Sequence, residues 1–444
     1  MKTPICDFVK KYVKSGTLRL HMPGHKGKSY LGMESYDLTE MNGADSLFEA
    51  DGIIAESERN ASELFGADTF YSTEGSSLCI RAMLFLASLY AKEKGESLSV
   101  LAARNAHKTF LSAAALLDFQ VEWLWQDENE GYLSCEITAE KLEKALSRVD
   151  KKPTCVYITS PDYLGNICDI KSISEVCRKY GALLLVDNAH GAYLKFLRDS
   201  KHPIDLGADM CCDSAHKTLP ALTGGAYLHI SKNAEGVFKN NAKDALSMFA
   251  STSPSYLILQ SLDYINGYVD EKYKERLDSF LEIADKYKKQ LIEYGYTFEG
   301  DERLKYTVNV RKFGYTGIEF ADILRNEYKI ECEFSDPDYV VLMLSCDNYD
   351  IEKVYNALIS IPKREEAQSC HVRVTKAEKV ISIRSAMLDA REEIPVESAE
   401  GRILATPSVS CPPAVPILMP GEKIDREAIK AFNYYGIKAV RVTK

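Results

Sequence analysis

The sequence lacks the features that would take it out of the ordinary globular class. No internal repeat and no low-complexity segment is visible, so neither a solenoid nor a disordered polar chain is expected. No long basic stripe interrupts the excess of 65 Asp and Glu over 55 Lys and Arg, a formal charge of −10 that would repel nucleic acid. Met1 to Gly16 scatters charges among its apolar residues without a continuous apolar core, which reads as neither signal peptide nor membrane span. A cytoplasmic address without membrane contact is the expectation. Of the twelve cysteines, no two form a Cys-x-x-Cys pair, and Cys155, Cys211 and Cys212 sit inside apolar runs. Buried thiols are expected rather than disulfides, and Cys211-Cys212 has no partner at metal-ligand spacing.

What is present is a 444-residue chain with 45% hydrophobic and 27% charged residues, enough for two or three packed units and a large active site. Short apolar, β-rich runs recur at Ser99 to Ala103, Thr154 to Thr159, Ala182 to Val186, Asp209 to Cys212 and Gly225 to Ile230. Helix-like stretches, Thr138 to Val149 and Ser172 to Tyr180, lie between the early ones. The alternation predicts an α/β fold with a mostly parallel sheet covered by helices, in which ligands collect beyond the carboxyl ends of the strands. After Pro254 a charged helical stretch, Tyr264 to Tyr294, leads into shorter segments, Tyr306 to Arg311 and Tyr339 to Ser345, of a smaller α+β region. The expected division is an N-terminal segment 1–50, a large domain 51–255 and a C-terminal region 256–444. Pro362 and a charge run within Ser360 to Gln368 suggest a subdivision near 365.

Chemistry concentrates at the strand ends. Asp187, in Asp187-Asn188-Ala189-His190-Gly191, follows an apolar run, and a carboxylate buried there needs a cationic or donor partner. Lys217, in Ser214-Ala215-His216-Lys217-Thr218, follows another; a lysine at the mouth of a core strand is neutralised, paired or used covalently. One carboxylate and one lysine after neighbouring strands is the arrangement pyridoxal phosphate needs, with Lys217 as its imine partner and Asp187 keeping the pyridine nitrogen protonated. Caps and surface ion pairs use the same residue types. Thr73-Glu74-Gly75-Ser76-Ser77 lies between the strand-like Thr69 to Ser72 and an apolar helix from about Leu78 to Ala91. It offers a glycine turn, hydroxyls and helix-start N–H groups, either an anion cradle or a plain N-cap. His107 follows Ser99 to Ala103 and faces the same sheet edge, where it could stack on a pyridine ring or be structural. His21 and His25 are four apart, but Pro23-Gly24 between them forbids the helix that a shared metal would need.

In order along the chain, several segments resemble motifs of the ornithine/lysine/arginine decarboxylases. They are Leu20-His21-Met22-Pro23-Gly24-His25-Lys26-Gly27, Leu38-Thr39-Glu40 with Gly43-Ala44-Asp45, Arg104-Asn105-Ala106-His107-Lys108, and Ser160-Pro161-Asp162-Tyr163-Leu164-Gly165. The Asp187 and Lys217 segments, Ser251-Thr252-Ser253-Pro254-Ser255-Tyr256, and Cys411-Pro412-Pro413-Ala414-Val415-Pro416-Ile417-Leu418 with Pro420-Gly421-Glu422 complete the series.

The resemblance implies the aspartate-aminotransferase-like fold of fold type I pyridoxal-phosphate enzymes, and a homodimer or multiple of dimers with active sites at the subunit interface. It implies decarboxylation of a basic amino acid, arginine or lysine before ornithine, and a place in polyamine synthesis. Lys217 would be the imine lysine, Asp187 the pyridinium partner and His107 the stacked ring. Gly75, Ser76, Ser77, Ser214 and His190 would complete the cofactor site, with Thr252 reaching the phosphate in the neighbouring subunit. His216 would protonate the substrate α-carbon after carbon dioxide leaves. Glu40, Asp45 and Glu333 are candidates for the substrate's distal cation. A transaminase on the same fold would use an arginine such as Arg311 or Arg384 for the α-carboxylate, and a non-catalytic homologue is the third reading.

Three departures stand out. Only twenty residues precede His21, as in the short form without an N-terminal wing domain. Glu74 stands where the family usually has asparagine, and Gly224 where glutamine often follows the threonine.

Overall fold

The computed structural model describes all residues except 128–130, 150, 348–349, 368–371, 373–375 and 408–413. Gln368 and Cys411-Pro412-Pro413, which figure in the sequence argument, lie outside the described residues. Seven strands, β1 (Asp68–Ser72), β2 (Ser99–Ala103), β3 (Gln120–Leu124), β4 (Cys155–Thr159), β5 (Leu183–Asp187), β6 (Met210–Asp213) and β7 (Ala226–Ile230), form a sheet in the order β1-β7-β6-β5-β4-β2-β3. β5 and β6 pair in parallel, as do β2 and β3, while β7 runs against both β6 and β1. The α/β class with a large, mostly parallel sheet therefore holds. β7 runs antiparallel to β6, from which residues 214–225 with the short helix Ala215–Thr218 separate it. β3 escaped the sequence reading because Gln120 and Glu122 alternate with its buried Val121 and Leu124.

The chain divides into two compact units. The first comprises Met1–Leu98, Lys152–Tyr157 and Ile170–Leu277. Every residue of β5, β6 and β7 is buried in it, as expected of strands covered on both faces. Helix Gly75–Glu93 packs on β6 and β7, and Leu78, Met83 and Leu86 are among its buried residues. The N-terminal helix Pro4–Lys14 docks on helices Ile53–Phe65 and Tyr256–Tyr268, where the Cys6 amide and the Ser57 hydroxyl both donate to buried Asp263, at 2.9 and 2.6 Å.

The expected helix from Tyr264 to Tyr294 is instead helix Tyr256–Tyr268, a π turn at Val269–Tyr273 and helix Lys274–Tyr294. The wider turn sends Val269 and Tyr273 both inward. The Tyr273 hydroxyl donates to the Thr218 carbonyl at 3.3 Å, bracing the segment that carries Lys217.

The second unit comprises Ser99–Lys151, Ile158–Asp169 and Asp278–Lys444. Its antiparallel sheets are β8 (Phe298–Glu299), β9 (Lys305–Asn309), β10 (Phe334–Ser335) and β11 (Tyr339–Met343) in the order β10-β11-β9-β8, and the pair β12 (Arg391–Pro395) with β13 (Ala439–Thr443). These antiparallel sheets and the helices between them are the α+β part that the expected fold class places in the C-terminal region. Leu133, Val396, Leu404, Val415, Leu418 and Phe432 share one of its buried apolar clusters.

Arg104, just past β2, is buried against Glu422 near the C terminus at 2.8 Å. Its guanidinium lies 5.4 and 4.9 Å from the rings of Trp123 and Trp125, the chain's two tryptophans. Burial lowers the Arg104 pKa and raises that of Glu422, each opposed by the partner's charge. Replacing Glu422 with alanine strands the guanidinium in a dry site, and breaking such a pair costs roughly 3–5 kcal/mol. We expect Glu422→Ala to lose stability on that scale in urea unfolding read by tryptophan fluorescence, and Arg104→Met/Glu422→Leu to recover most of it. A single variant as stable as the wild type would contradict this account.

Candidate active site

The site is built where β5 and β6 end in the first unit. The Asp187 side chain is buried and takes the Ala189 amide at 3.2 Å and the Tyr157 hydroxyl at 3.2 Å, with the Cys212 thiol 3.7 Å away. Burial pushes its carboxyl up; the nearby positive charge of Lys217, then these donors, draw it part of the way back. Lys217 Nζ lies 3.0 Å from His190 Nε2. Asp187, His190 and Lys217, read separately from sequence, thus converge in one unit.

The loops that carry them are stitched together. The Asn188 amide donates to the Cys212 carbonyl at 3.0 Å and the Ser214 amide to the Ala189 carbonyl at 3.3 Å. A third tie is made by side chains: Asn188 Nδ2 donates to Asp213 Oδ1 at 2.6 Å. Asp213 Oδ2 meets His202 Nε2 at 3.0 Å and His229 Nε2 at 3.2 Å. A carboxylate is acceptor-only, so both imidazoles donate from Nε2. His229 Nδ1 is then left to accept from the Thr69 hydroxyl, 2.9 Å away. Burial alone would raise the Asp213 carboxyl, but the two histidines hold it well below the usual carboxylate range. Glycine at 191 is obligatory here, because a Cβ would sit 2.0 Å from Asn188 Oδ1.

The Thr73–Ser77 segment forms a turn before helix Gly75–Glu93. Gly75 has φ +71°, its amide donates to the Gly224 carbonyl at 2.8 Å, and a Cβ added there would meet only His216 Cε1, at 3.9 Å. The Glu74 side chain does not cap the helix. It accepts instead from the Ser251 amide at 2.7 Å, turned toward the loop that carries exposed Thr252. His216 accompanies this turn, its Nδ1 2.9 Å from the Gly225 carbonyl. Open space over Gly75, the partly exposed Ser76 and Ser77, and a helix start without a side-chain cap fit a phosphate. A buried carboxylate beside a lysine fits the pyridinium and aldehyde of pyridoxal phosphate.

His107 belongs to the second unit. It caps helix Lys108–Leu117, its Nδ1 accepting from the Thr109 amide at 3.2 Å. Among the substrate candidates, Asp45 is spent on the amides of Asp51, Gly52, Ile54 and Ala55, capping helix Ile53–Phe65, and Glu40 is exposed. Glu333 accepts from the Tyr163 hydroxyl at 3.0 Å. Arg311 pairs with Asp338 at 3.3 Å, and Arg384 donates to the Ala115 carbonyl at 2.7 Å. Cys211 does have neighbours of ligand type, since His202, Cys211 and Asp213 place one such atom each within 4.8 Å of one another. The His202 and Asp213 atoms are already engaged in the hydrogen bonds above. Sequence reasoning missed Tyr157, Asn188, His202, Asp213 and His229; of these, only Asp213 and Asn188 carried a signal, as polar residues at strand ends.

The fold is shared with a lysine decarboxylase of Francisella novicida, with a TM-score of 0.78 at 17% identity over 100% of this chain and 81% of that one. An arginine decarboxylase of Bacillus subtilis (strain 168) is 28% identical over 462 residues, covering 96% of this chain and 92% of that protein. One of Halalkalibacterium halodurans is 29% identical over 458 residues, covering 95% and 91%. The Orn/Lys/Arg decarboxylase major-domain model matches residues 3–301 and the C-terminal-domain model residues 367–441. The chain belongs to the Orn/Lys/Arg decarboxylase family, as the resemblance implied.

Removing the Asp213 carboxylate leaves three buried N–H donors without an acceptor, a loss of about 2–4 kcal/mol even with partial relaxation. Asp213→Ala is expected to lower the unfolding free energy on that scale in urea titration, and Asp213→Asn, which keeps one acceptor oxygen, to lose less. Equal stability of wild type and Asp213→Ala would rule out the network as the support of these loops.

Proposed function

We propose that the protein decarboxylates a basic amino acid, arginine or lysine before ornithine, to the amine and carbon dioxide, using pyridoxal 5′-phosphate. The observation that carries the reading is buried Asp187 at the end of β5 in the same unit as Lys217, whose Nζ lies 3.0 Å from His190; burial raises the Asp187 carboxyl and the charge of Lys217 opposes this in part. When bound, pyridoxal phosphate supplies an electron sink for the bond that breaks at the substrate α-carbon. The protein's part is to hold it and to manage protons. Lys217 anchors the cofactor and Asp187, oriented by Tyr157 and the Ala189 amide, keeps its ring nitrogen protonated. The turn at Gly75, with Ser76, Ser77 and Ser214, receives the phosphate, and His107 supplies the stacking ring. Thr252 serves the site of a neighbouring copy, from a loop steadied by Glu74.

His190, 3.0 Å from Lys217 Nζ, can accept a proton from the ammonium and leave the amine nucleophilic. His216, fixed through Nδ1 by the Gly225 carbonyl, has Nε2 for proton delivery to the α-carbon. Glu333, oriented by Tyr163, is the carboxylate for the substrate's distal cation. The transaminase reading is weaker, because Arg311 and Arg384 are already committed to Asp338 and a helix end. A cytoplasmic homodimer acting in polyamine synthesis is the setting that family membership supports.

Purified protein reconstituted with pyridoxal phosphate is expected to show a visible absorbance band that Lys217→Ala lacks, and to release carbon dioxide from one of arginine, lysine and ornithine. Release should fall to background in the variant. A lysine-dependent band with keto acid formed and no carbon dioxide would establish transamination instead, and no band at all would sink the cofactor assignment.

A further inference from the structure

The second unit holds a cavity of about 140 Å³ whose wall includes Tyr132, Phe334, Asp336, Tyr434, Tyr435 and Ile437. Its aromatic side is set by ring contacts: Tyr132 and Tyr435 lie 4.5 Å apart at 63°, and Tyr434 and Tyr435 5.1 Å apart at 85°. Its polar feature is Asp336, only 6% exposed. Oδ1 of Asp336 takes the amides of Asp338 and Tyr339, at 2.8 and 2.7 Å. No hydrogen bond to Oδ2 and no ion pair to this carboxylate occurs among the described residues.

The nearest cation is already committed. Arg311 pairs with Asp338 at 3.3 Å, and Tyr434, whose hydroxyl lies 3.3 Å from Arg311 Nη2, donates to Asp338 at 2.7 Å. Burial pushes the Asp336 carboxyl up to about 7; the Tyr339 and Asp338 amides oppose this, the charge of Asp338 adds to it, and that of Arg311 subtracts only in part. A carboxylate this buried calls for a positive partner, and aromatic rings lining the same cavity can accept one. An anion would face both Asp336 and Asp338. A neutral guest would leave Asp336 unpaired.

We propose that this cavity is a binding site for a small organic cation, an alkylammonium or guanidinium, whose charge pairs with Asp336 and whose body lies against Tyr132 and Tyr435. A cavity of about 150 Å³ accepts benzene, which sets the size of the buried part of the ligand. Binding requires the ionised carboxylate, so affinity rises as the pH passes upward through about 7. Complexation holds Asp336 ionised and releases a proton in that range. Arg311, Asp338 and the tyrosines 132, 339, 434 and 435 are the other charged or titratable groups around Asp336.

The test is calorimetric titration of the full chain with methylguanidinium and n-butylammonium, against n-butanol as a neutral control. Saturable binding of at least one cation is expected, with none of the alcohol and with heats that depend on buffer ionisation near neutral pH. Asp336→Asn, which retains the Oδ1 acceptor for the two amides, should weaken binding at least tenfold, and Tyr435→Leu should weaken it while leaving Asp336 in place. No saturable binding of either cation would overturn the proposal. So would affinities unchanged in Asp336→Asn or, should that variant not fold, in Tyr435→Leu.

Discussion

The hydrogen bonds converging on the Asp213 carboxylate decide how the loops that carry Asp187 and Lys217 meet. One oxygen takes Asn188 Nδ2, from the loop that carries Asp187 and His190; the other takes His202 and His229. Asp213 itself ends β6, four residues before Lys217. A fully buried charge paired in this way has a single good geometry, because each donor it lost would have no water to turn to. The 3.0 Å contact between His190 and Lys217 therefore depends on groups that lie behind the site and never touch a substrate. The same logic explains Gly191, whose missing side chain is the space that Asn188 occupies.

A second set of ties works from the opposite side of the Lys217 segment. The Tyr273 hydroxyl, at the end of the π turn Val269–Tyr273, donates to the Thr218 carbonyl. The Gly75 amide reaches the Gly224 carbonyl, joining the turn before helix Gly75–Glu93 to the loop that enters β7. The backbone around Lys217 is thus held on both flanks, and its side chain meets His190 at 3.0 Å.

Much of this was legible in the sequence, for a definite reason. Strands buried on both faces give continuous apolar runs, so β2, β4, β5, β6 and β7 announced themselves, and the polar residue after such a run, Asp187 or Lys217, stood out by contrast. The turn at Gly75 was legible as a helix start, since glycine and hydroxyls ahead of an apolar helix serve a cap or an anion cradle alike. What the sequence hid were partnerships between residues far apart along it. Nothing in Thr69, His202, Asp213 and His229 taken singly says that they share one hydrogen-bonded chain, and Tyr157 sits inside an apolar run where it reads as core. The π turn also left no trace, since the helical period shifts there by a single residue. The fit of the Asp45 motif to substrate binding dissolved for the opposite reason: a carboxylate ahead of a helix is as useful to four amides as to a ligand, and here the amides have it.

Three buried aspartates show how environment, rather than residue type, assigns the work. Asp213 meets three N–H donors and is held well below the usual carboxylate range, a permanent charge suited to structure. Asp187 has weaker donors and leans on the charge of Lys217, so its carboxyl stays raised and its demand for a cation is met in part. Asp336 has two backbone amides and no cation of its own, and burial leaves it near the middle of the physiological range. Ordered by how fully their charge is answered from within the chain, the three run from Asp213 with three N–H donors, through Asp187 opposed in part by Lys217, to Asp336 with two backbone amides.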